Sequence, residues 1–210
     1  MKHIPFYSIP AVLFIMCCGL FLSFYPDKVA AQLALHHAWY SPSGYWWMEV
    51  ITSWGEAHLF VIVIIAVILQ KRYLMAFEFL SAGIVSSIVV QSLKRLVFAP
   101  SPRPMAVIKW SETLLPEGLE VPLQFAFPSG HTTTAFVFFT LLALHFKKIS
   151  VQILAVIAVI GVGLSRVYLM AHWIPDVMAG GVLGLVIALL VNRAFLAIKK
   201  KPPILAVSGS

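Results

Sequence analysis

The sequence predicts an all-α, polytopic membrane protein with six transmembrane helices and both termini in the cytoplasm. Three observations support this fold class. The chain is 60% hydrophobic and only 11% charged, whereas a soluble domain is about half apolar and about a quarter charged. Six apolar segments follow one another, and about 20 such residues cross a bilayer as a helix. Basic clusters alternate with these segments, and the 210 residues fit one domain.

The six predicted spans are residues 6–24, 57–69, 74–93, 132–146, 149–169 and 177–197. The first span follows Lys2 and has no clear small-residue cleavage site after it, so we interpret it as a retained span rather than a signal peptide. The second and fourth spans are short, and we expect the residues before them to extend both helices. Residues 199–210 are predicted to be a disordered tail.

The cations indicate the orientation of the spans. Nine of the fifteen lysines and arginines cluster at alternate ends of the spans: Lys2, Lys71, Arg72, Lys147, Lys148, Arg193, Lys199, Lys200 and Lys201. By the positive-inside rule this side is cytoplasmic. The net charge of +7 is then mainly a topology signal, and no nucleic-acid partner is expected. We expect a multi-pass protein of the cell (inner) membrane, whose other face is periplasmic or exterior.

Three polar segments that are far apart in the sequence fall on the outer face. Residues 25–55 are rich in tryptophan and tyrosine, which is typical of an interfacial anchor, with a contribution to lipid-substrate access as the alternative. Residues 94–128 begin with KRLVFAPSPRP and lead into FPSGH at residues 127–131, and residues 165–176 read SRVYLMAHWIPD. The convergence of these segments predicts a site on this face.

The segment 165–176 carries charged residues beside two apolar spans, where they are costly and are kept mostly for pairing or chemistry. His172 and Asp176 are four residues apart, so the carboxylate can hold one imidazole nitrogen while the other attacks a substrate. The guanidinium of Arg166 suits phosphate oxygens. A purely structural arginine–aspartate pair is the alternative.

The segment FPSGH precedes an apolar helix. Ser129 is a favoured N-cap residue, Gly130 permits close approach of a ligand, and a helix N-terminus attracts anions. His131 falls in the first turn, beside any anion bound there. The alternative is an ordinary helix cap with a tolerated histidine.

The segment KRLVFAPSPRP carries Lys94, Arg95 and Arg103 on the face where cations are disfavoured for topology. Its three alternating prolines restrict the backbone around Arg103. Cations, a helix N-terminus and a His–Asp pair together predict phosphoryl transfer, in which positioning and charge stabilisation do most of the work. Because the sequence has no cysteine–histidine or multi-carboxylate cluster, we expect neither a metal nor a cofactor.

These residues resemble the three-part signature of the type 2 phosphatidic acid phosphatase (PAP2) superfamily: K-x6-R-P, P-S-G-H and S-R-x5-H-x3-D. The second and third parts are intact at residues 128–131 and 165–176. In the first part eight residues separate Lys94 from Arg103, and seven separate Arg95 from Arg103. We take Lys94 and Arg103 as its cations, although Arg95 could fill the lysine position. The resemblance covers residues 94–176.

The resemblance implies a metal-independent phosphatase that acts through a phosphohistidine. His172 would be the nucleophile, Asp176 would orient it, and His131 would protonate the leaving group and then activate water. The phosphate would be held by Lys94, Arg103, Ser129, Gly130 and Arg166.

The implied substrate is a membrane lipid phosphate or diphosphate: undecaprenyl diphosphate, phosphatidylglycerophosphate, phosphatidate or a lipid A phosphate. A lipid-to-lipid phosphotransferase of the same fold and a non-catalytic lipid-binding or transport protein are the alternatives. The sequence indicates no oligomeric state.

Two smaller features complete the predictions. Glu56 and His58 begin the second span, and we interpret them as a helix-end polar pair, with an approach to the site as the alternative. Gly180 and Gly184 form a G-x-x-x-G spacing, which indicates close helix packing.

Overall fold

The computed structural model describes residues 6–116, 119 and 121–200. In these residues the regular structure is helical and no β-strand is present, so the predicted all-α class is confirmed. The α-helices are α1 Ser8–Phe24, α2 Lys28–Trp39, α3 Pro42–Thr52, α4 His58–Leu69, α5 Tyr73–Ser92, α6 Pro104–Val107, α7 Gly130–His145, α8 Ile149–Tyr168 and α9 Ile174–Lys200. Short turns of other helix types lie at Ser53–Gly55, Leu93–Val97 and Trp110–Glu112.

Six of these helices, α1, α4, α5, α7, α8 and α9, coincide with the six predicted apolar segments to within a few residues. Three helical stretches are long and apolar enough to cross a membrane alone, at Tyr73–Val97, Ile149–Tyr168 and Ile174–Lys199. Two bent helix pairs, α1 with α2 and α3 with α4, reach that length only together, with bends of 112° and 49°. Three to five spans are therefore supported, and six spans with cytoplasmic termini stay a prediction.

The aromatic connection 25–55 is helical rather than irregular. Asp27 caps α2 by accepting a hydrogen bond from the Val29 amide at 2.9 Å, and Ser41 caps α3 through the Gly44 amide at 3.0 Å. Trp46 and Trp47 on α3 are exposed. This exposure agrees with an anchoring role at the membrane interface.

Helix α7 is the centre of the bundle and packs on α5, α8 and α9. Its small and aromatic side chains, such as Ala135 and Phe136, are fully buried. Two glycines of α9 allow its close approach: a methyl group at Gly180 would lie 2.7 Å from the Ser129 carbonyl oxygen, and one at Gly184 would lie 2.7 Å from the Thr133 carbonyl oxygen. The G-x-x-x-G spacing therefore serves helix contact.

A buried polar cluster ties α5, α7 and α9 at the end of the bundle away from Ser129. The carboxylate of Glu78 lies 2.9 Å from His145 Nε2 and accepts a hydrogen bond from Asn192 Nδ2 at 2.8 Å. Helix α9 then continues through Lys200, the second residue of the predicted tail. The predicted disorder of residues 201–210 lies outside the described residues.

Candidate active site

The connection between α8 and α9 carries a buried imidazole–carboxylate pair. His172 lies in this connection and is 1% exposed, and Asp176, in the first turn of α9, is 4% exposed. Asp176 Oδ2 lies 3.3 Å from His172 Nδ1 and accepts a hydrogen bond from the Trp173 amide at 2.9 Å. Because Nδ1 faces the carboxylate, Nε2 is the nitrogen left for a substrate.

The surroundings of His172 favour its neutral form. Burial lowers the pKa of His172 well below its ordinary value, and the positive charges of Arg103, Arg166 and Lys94 lower that pKa further. A neutral imidazole has a lone pair available for attack. The same three cations create a positive field around Nε2.

The start of α7 is joined directly to this pair. The Ser129 amide donates to the Asp176 carbonyl oxygen at 3.0 Å. Ser129 Oγ caps the helix, accepting from the Thr132 amide at 3.4 Å and from Thr132 Oγ1 at 2.9 Å. Ser129 is fully buried, so its hydroxyl serves the cap, and its contact with a phosphate stays a prediction. Gly130 follows it as the first residue of α7.

The first segment reaches the site through two cations bound to neighbouring carbonyl groups. Lys94 Nζ donates to the Phe125 carbonyl oxygen at 2.7 Å, and Arg103 Nε donates to the Gln124 carbonyl oxygen at 2.9 Å. Arg103 Nη1 also donates to the Ala171 carbonyl oxygen at 3.3 Å, next to His172. The loop therefore brings both cations to the His172 pair despite the lengthened spacing.

Arg95 is placed differently from Lys94. Lys94 is 7% exposed, whereas Arg95 is exposed, and its Nε donates to Gln91 Oε1 at 3.2 Å on the same helix. Of the two candidates for the lysine position, Lys94 is the one that the structure places beside Arg103.

Arg166 lies near the end of α8 and is held by a residue that the sequence patterns do not indicate. Its Nη1 donates to Thr52 Oγ1 at 2.7 Å. Its Nε is buried and has no hydrogen-bond partner within the described part of the chain. A buried donor without a partner is costly.

His131, in the first turn of α7, is the more accessible of the two histidines. Its Nε2 lies 3.8 Å from Glu56 Oε1, and Glu56 Oε2 lies 3.6 Å from His58 Nδ1. Glu56 and His58 do form the predicted helix-end pair, and Glu56 also approaches the site. The sequence gives little indication that Glu56 approaches the site, because a single carboxylate at a helix end has no distinctive spacing.

The donor set suits an anion better than a metal ion. Among the described residues, no group of three or more histidine, cysteine, aspartate or glutamate side chains is arranged to hold a metal. Three cations and the amide-rich start of α7 instead surround His172. Fold and site together define a helical protein with membrane-type apolar helices and a buried imidazole–carboxylate pair near three cations.

The chain belongs to the PAP2 superfamily, whose family profile matches residues 75–200, more than half of the chain. It is 37% identical over 113 residues to phosphatidylglycerophosphatase B of Bacillus subtilis (strain 168). That match covers 48% of this chain and 55% of the relative, so the chain spans about half the length of this relative.

Two solved structures share the fold. The crystal structure of Aquifex aeolicus LpxE has a TM-score of 0.62 and 22% identity, over 77% of this chain and 92% of that one. The crystal structure of the first transmembrane PAP2 type phosphatidylglycerolphosphate phosphatase from Bacillus subtilis has a TM-score of 0.59 and 24% identity, over 91% of this chain and 97% of that one. The predicted resemblance is thereby confirmed.

Proposed function

We propose that this protein is a metal-independent phosphatase of a membrane lipid phosphate or diphosphate. One observation carries the proposal: the buried imidazole of His172, whose surroundings favour the neutral form, has Asp176 on one nitrogen and three cations around it. This combination suits a nucleophile that attacks an anion. Membership of the PAP2 superfamily supports the same chemistry.

The cations Lys94, Arg103 and Arg166 would hold the phosphate oxygens, together with the amide-rich start of α7 at Ser129 and Gly130. The buried Nε of Arg166 supports this role, because it lacks a partner among the described residues. Placing several donors where charge develops is the largest single contribution to many enzymatic rates.

The reaction would proceed in two displacements. His172 Nε2 donates its lone pair to phosphorus, the bond from phosphorus to the leaving oxygen breaks, and His131 gives that oxygen a proton. Water then attacks the phosphohistidine, His131 takes a proton from this water, and the phosphorus–nitrogen bond breaks to release phosphate. Asp176 stabilises the positive charge that forms on the His172 ring in the first step.

Phosphatidylglycerophosphate is the first substrate to test, because the curated relative is a phosphatidylglycerophosphatase. Undecaprenyl diphosphate, phosphatidate and lipid A phosphates remain candidates on the same chemistry. The positive-inside pattern supports an orientation in which the site faces the periplasmic side of the cell (inner) membrane.

The decisive experiment is a phosphate-release assay on the purified protein with these four lipids. We expect His172→Ala to abolish release, whereas His37→Ala, which alters an exposed histidine of α2, leaves release unchanged. With a lipid labelled in its phosphate, the wild-type protein should retain an acid-labile label that the His172 variant lacks. Activity should persist in EDTA.

Two results would contradict the proposal. Normal turnover by the His172→Ala variant would show that His172 is not the nucleophile. Labelled phosphate that passes to an added acceptor lipid instead of water would identify a phosphotransferase.

A further inference from the structure

A fourth segment of the chain reaches the site from outside the family-matched residues, which begin at residue 75. This segment is the turn Ser53–Gly55 with its two neighbours. Thr52 Oγ1 accepts the hydrogen bond from Arg166. Gly55 lies against the backbone of His131, since a methyl group there would lie 2.7 Å from the His131 carbonyl oxygen and 3.0 Å from its Cβ. The turn is thus packed directly on the site.

Glu56 follows this turn and brings a carboxylate to His131, with 3.8 Å between Oε1 and Nε2. About half of the Glu56 side chain and a third of the His131 side chain are exposed, so the pair lies at the open side of the site. Among the described residues, Glu56 is the only carboxylate within 4.0 Å of a His131 nitrogen.

The charges around His131 explain why such a carboxylate matters. The positive groups of Arg166, Arg103 and Lys94 act on it from α8, the proline-rich loop and the end of α5. His172 acts on it from the connection to α9, and His58 of α4 lies on the far side of Glu56. Nearby cations disfavour a protonated imidazole, and a nearby carboxylate favours it.

We propose that Glu56 is a positioning residue that orients His131 and favours the protonated ring against the burial and the cations that disfavour it. This inference rests on the proposed phosphatase function and adds a residue to it. It gives the site a second imidazole–carboxylate pair, half exposed, opposite the buried His172–Asp176 pair.

The proton that His131 gives up in the first step is returned to it in the second. In the proposed step Glu56 Oε1, now 3.8 Å from Nε2, closes on Nε2–H, which leaves Nδ1 for the reacting oxygen. When the phosphorus–oxygen bond breaks, the leaving oxygen keeps both electrons and takes the proton from Nδ1. The attacking water later returns a proton to Nδ1, and Glu56 gives up and takes up no proton in either step.

The first test compares two leaving groups. An alkoxide needs protonation as it leaves, whereas p-nitrophenolate does not. Glu56→Gln should therefore lower kcat/KM for phosphatidylglycerophosphate about 10-fold and that for p-nitrophenyl phosphate less than about 2-fold. Glu56→Asp should recover part of the loss. Glu112→Gln, which removes an exposed carboxylate from the outer loop, should leave both rates unchanged.

The second test follows pH. Because Glu56 favours the protonated ring, the alkaline limb of kcat/KM should move to lower pH by about one unit in Glu56→Gln. A merely structural residue would lower the rate without moving this limb. An equal loss on both substrates with an unmoved limb would overturn the proposal.

A third measurement does not depend on turnover. In protein labelled with ¹⁵N-histidine, the His131 resonance, assigned with His131→Ala, should titrate at lower pH in Glu56→Gln than in the wild type. Equal titration in both proteins overturns the role of Glu56. A shifted titration in a protein that releases no phosphate from any lipid supports the pair and overturns only the phosphatase function.

Discussion

At the scale of single residues, two histidines are held by carboxylates in different surroundings. Asp176 is buried beside His172, whereas about half of the Glu56 side chain is exposed beside His131. A buried pair fixes tautomer and orientation, while solvent screens an exposed one. His172 therefore suits the role of nucleophile, which needs one geometry, and His131 suits proton exchange with water.

The lengthened first motif gives a matched pair of substitutions. Lys94→Ala should lower kcat/KM by about 100-fold or more, since it removes a buried cation from the phosphate site. Arg95→Ala should change kcat/KM less than about 3-fold, because Arg95 is exposed, with a hydrogen bond to Gln91 and a stacking contact with the Phe125 ring. Steady-state phosphate release from detergent-solubilised protein measures both. The reverse ranking would show that Arg95 fills the lysine position.

The sequence predicts the residues that lie in the signature but not the residues that contact them and hold them in place. His131, Arg166, His172 and Asp176 lie in two short motifs, at the start of α7 and around the connection from α8 to α9, where local geometry follows from sequence separation. Thr52 has no such spacing, because its contact with Arg166 joins residues 114 positions apart. Contacts of this kind depend on how helices pack.

At the scale of elements, the end of α5 accommodates the two extra residues between Lys94 and Arg103. After Ser92 the helix widens into a π-type turn over Leu93–Val97, closed by the Phe98 amide on the Leu93 carbonyl oxygen at 2.9 Å. Such turns insert residues without ending a helix and are frequent at functional sites. Lys94 and Arg103 both donate hydrogen bonds to carbonyl groups of the segment 124–125. Because these bonds fix the positions of the two cations, the number of residues between them matters less.

The contact of α9 with α7 allows a test far from any reacting group. Gly180→Ala would place a methyl group 2.7 Å from the Ser129 carbonyl oxygen and push the start of α7 away from Asp176. Such overpacking costs about 1–3 kcal/mol. We expect a lower melting temperature in detergent and a lower kcat.

Gly44→Ala is not a suitable control for that test, because its added methyl would meet the Tyr168 hydroxyl. Gly130→Ala is better, since the nearest atom to its added methyl lies 3.7 Å away. It should keep the wild-type melting temperature. Equal melting temperatures for Gly180→Ala and the wild type would show that α7 and α9 are less closely held than described.

At the scale of the whole molecule, hydropathy predicts where the helices lie in the sequence better than it predicts which of them cross the membrane. The predicted segment 74–93 and helix α5 differ by one residue at each end, because lipid and core both select apolar side chains. The helices α2 and α3 escaped prediction, since their mixed aromatic and polar composition resembles an interfacial loop. Their bends relative to α1 and α4 also reduce the number of unambiguous spans.

Orientation can be tested with single cysteines. In a background with Cys17 and Cys18 replaced by serine, Ser111→Cys should react with a membrane-impermeant maleimide in intact spheroplasts. Gln70→Cys, in the turn after α4, should react only after lysis. Both positions are exposed, so a difference between them reports sidedness. The opposite pattern would place the site in the cytoplasm.

Helix α7 also determines how deep the chemistry lies. Its 16 residues make a rod of about 24 Å, about 6 Å shorter than the hydrocarbon thickness of a typical bilayer. Because neighbouring helices rather than lipid tails cover most of it, this shortfall causes little mismatch with the bilayer. With α7 as the predicted span and in the proposed orientation, His131 would lie no higher than the outer-leaflet headgroups. A lipid phosphate would then arrive by lateral diffusion, with its tails in the membrane throughout.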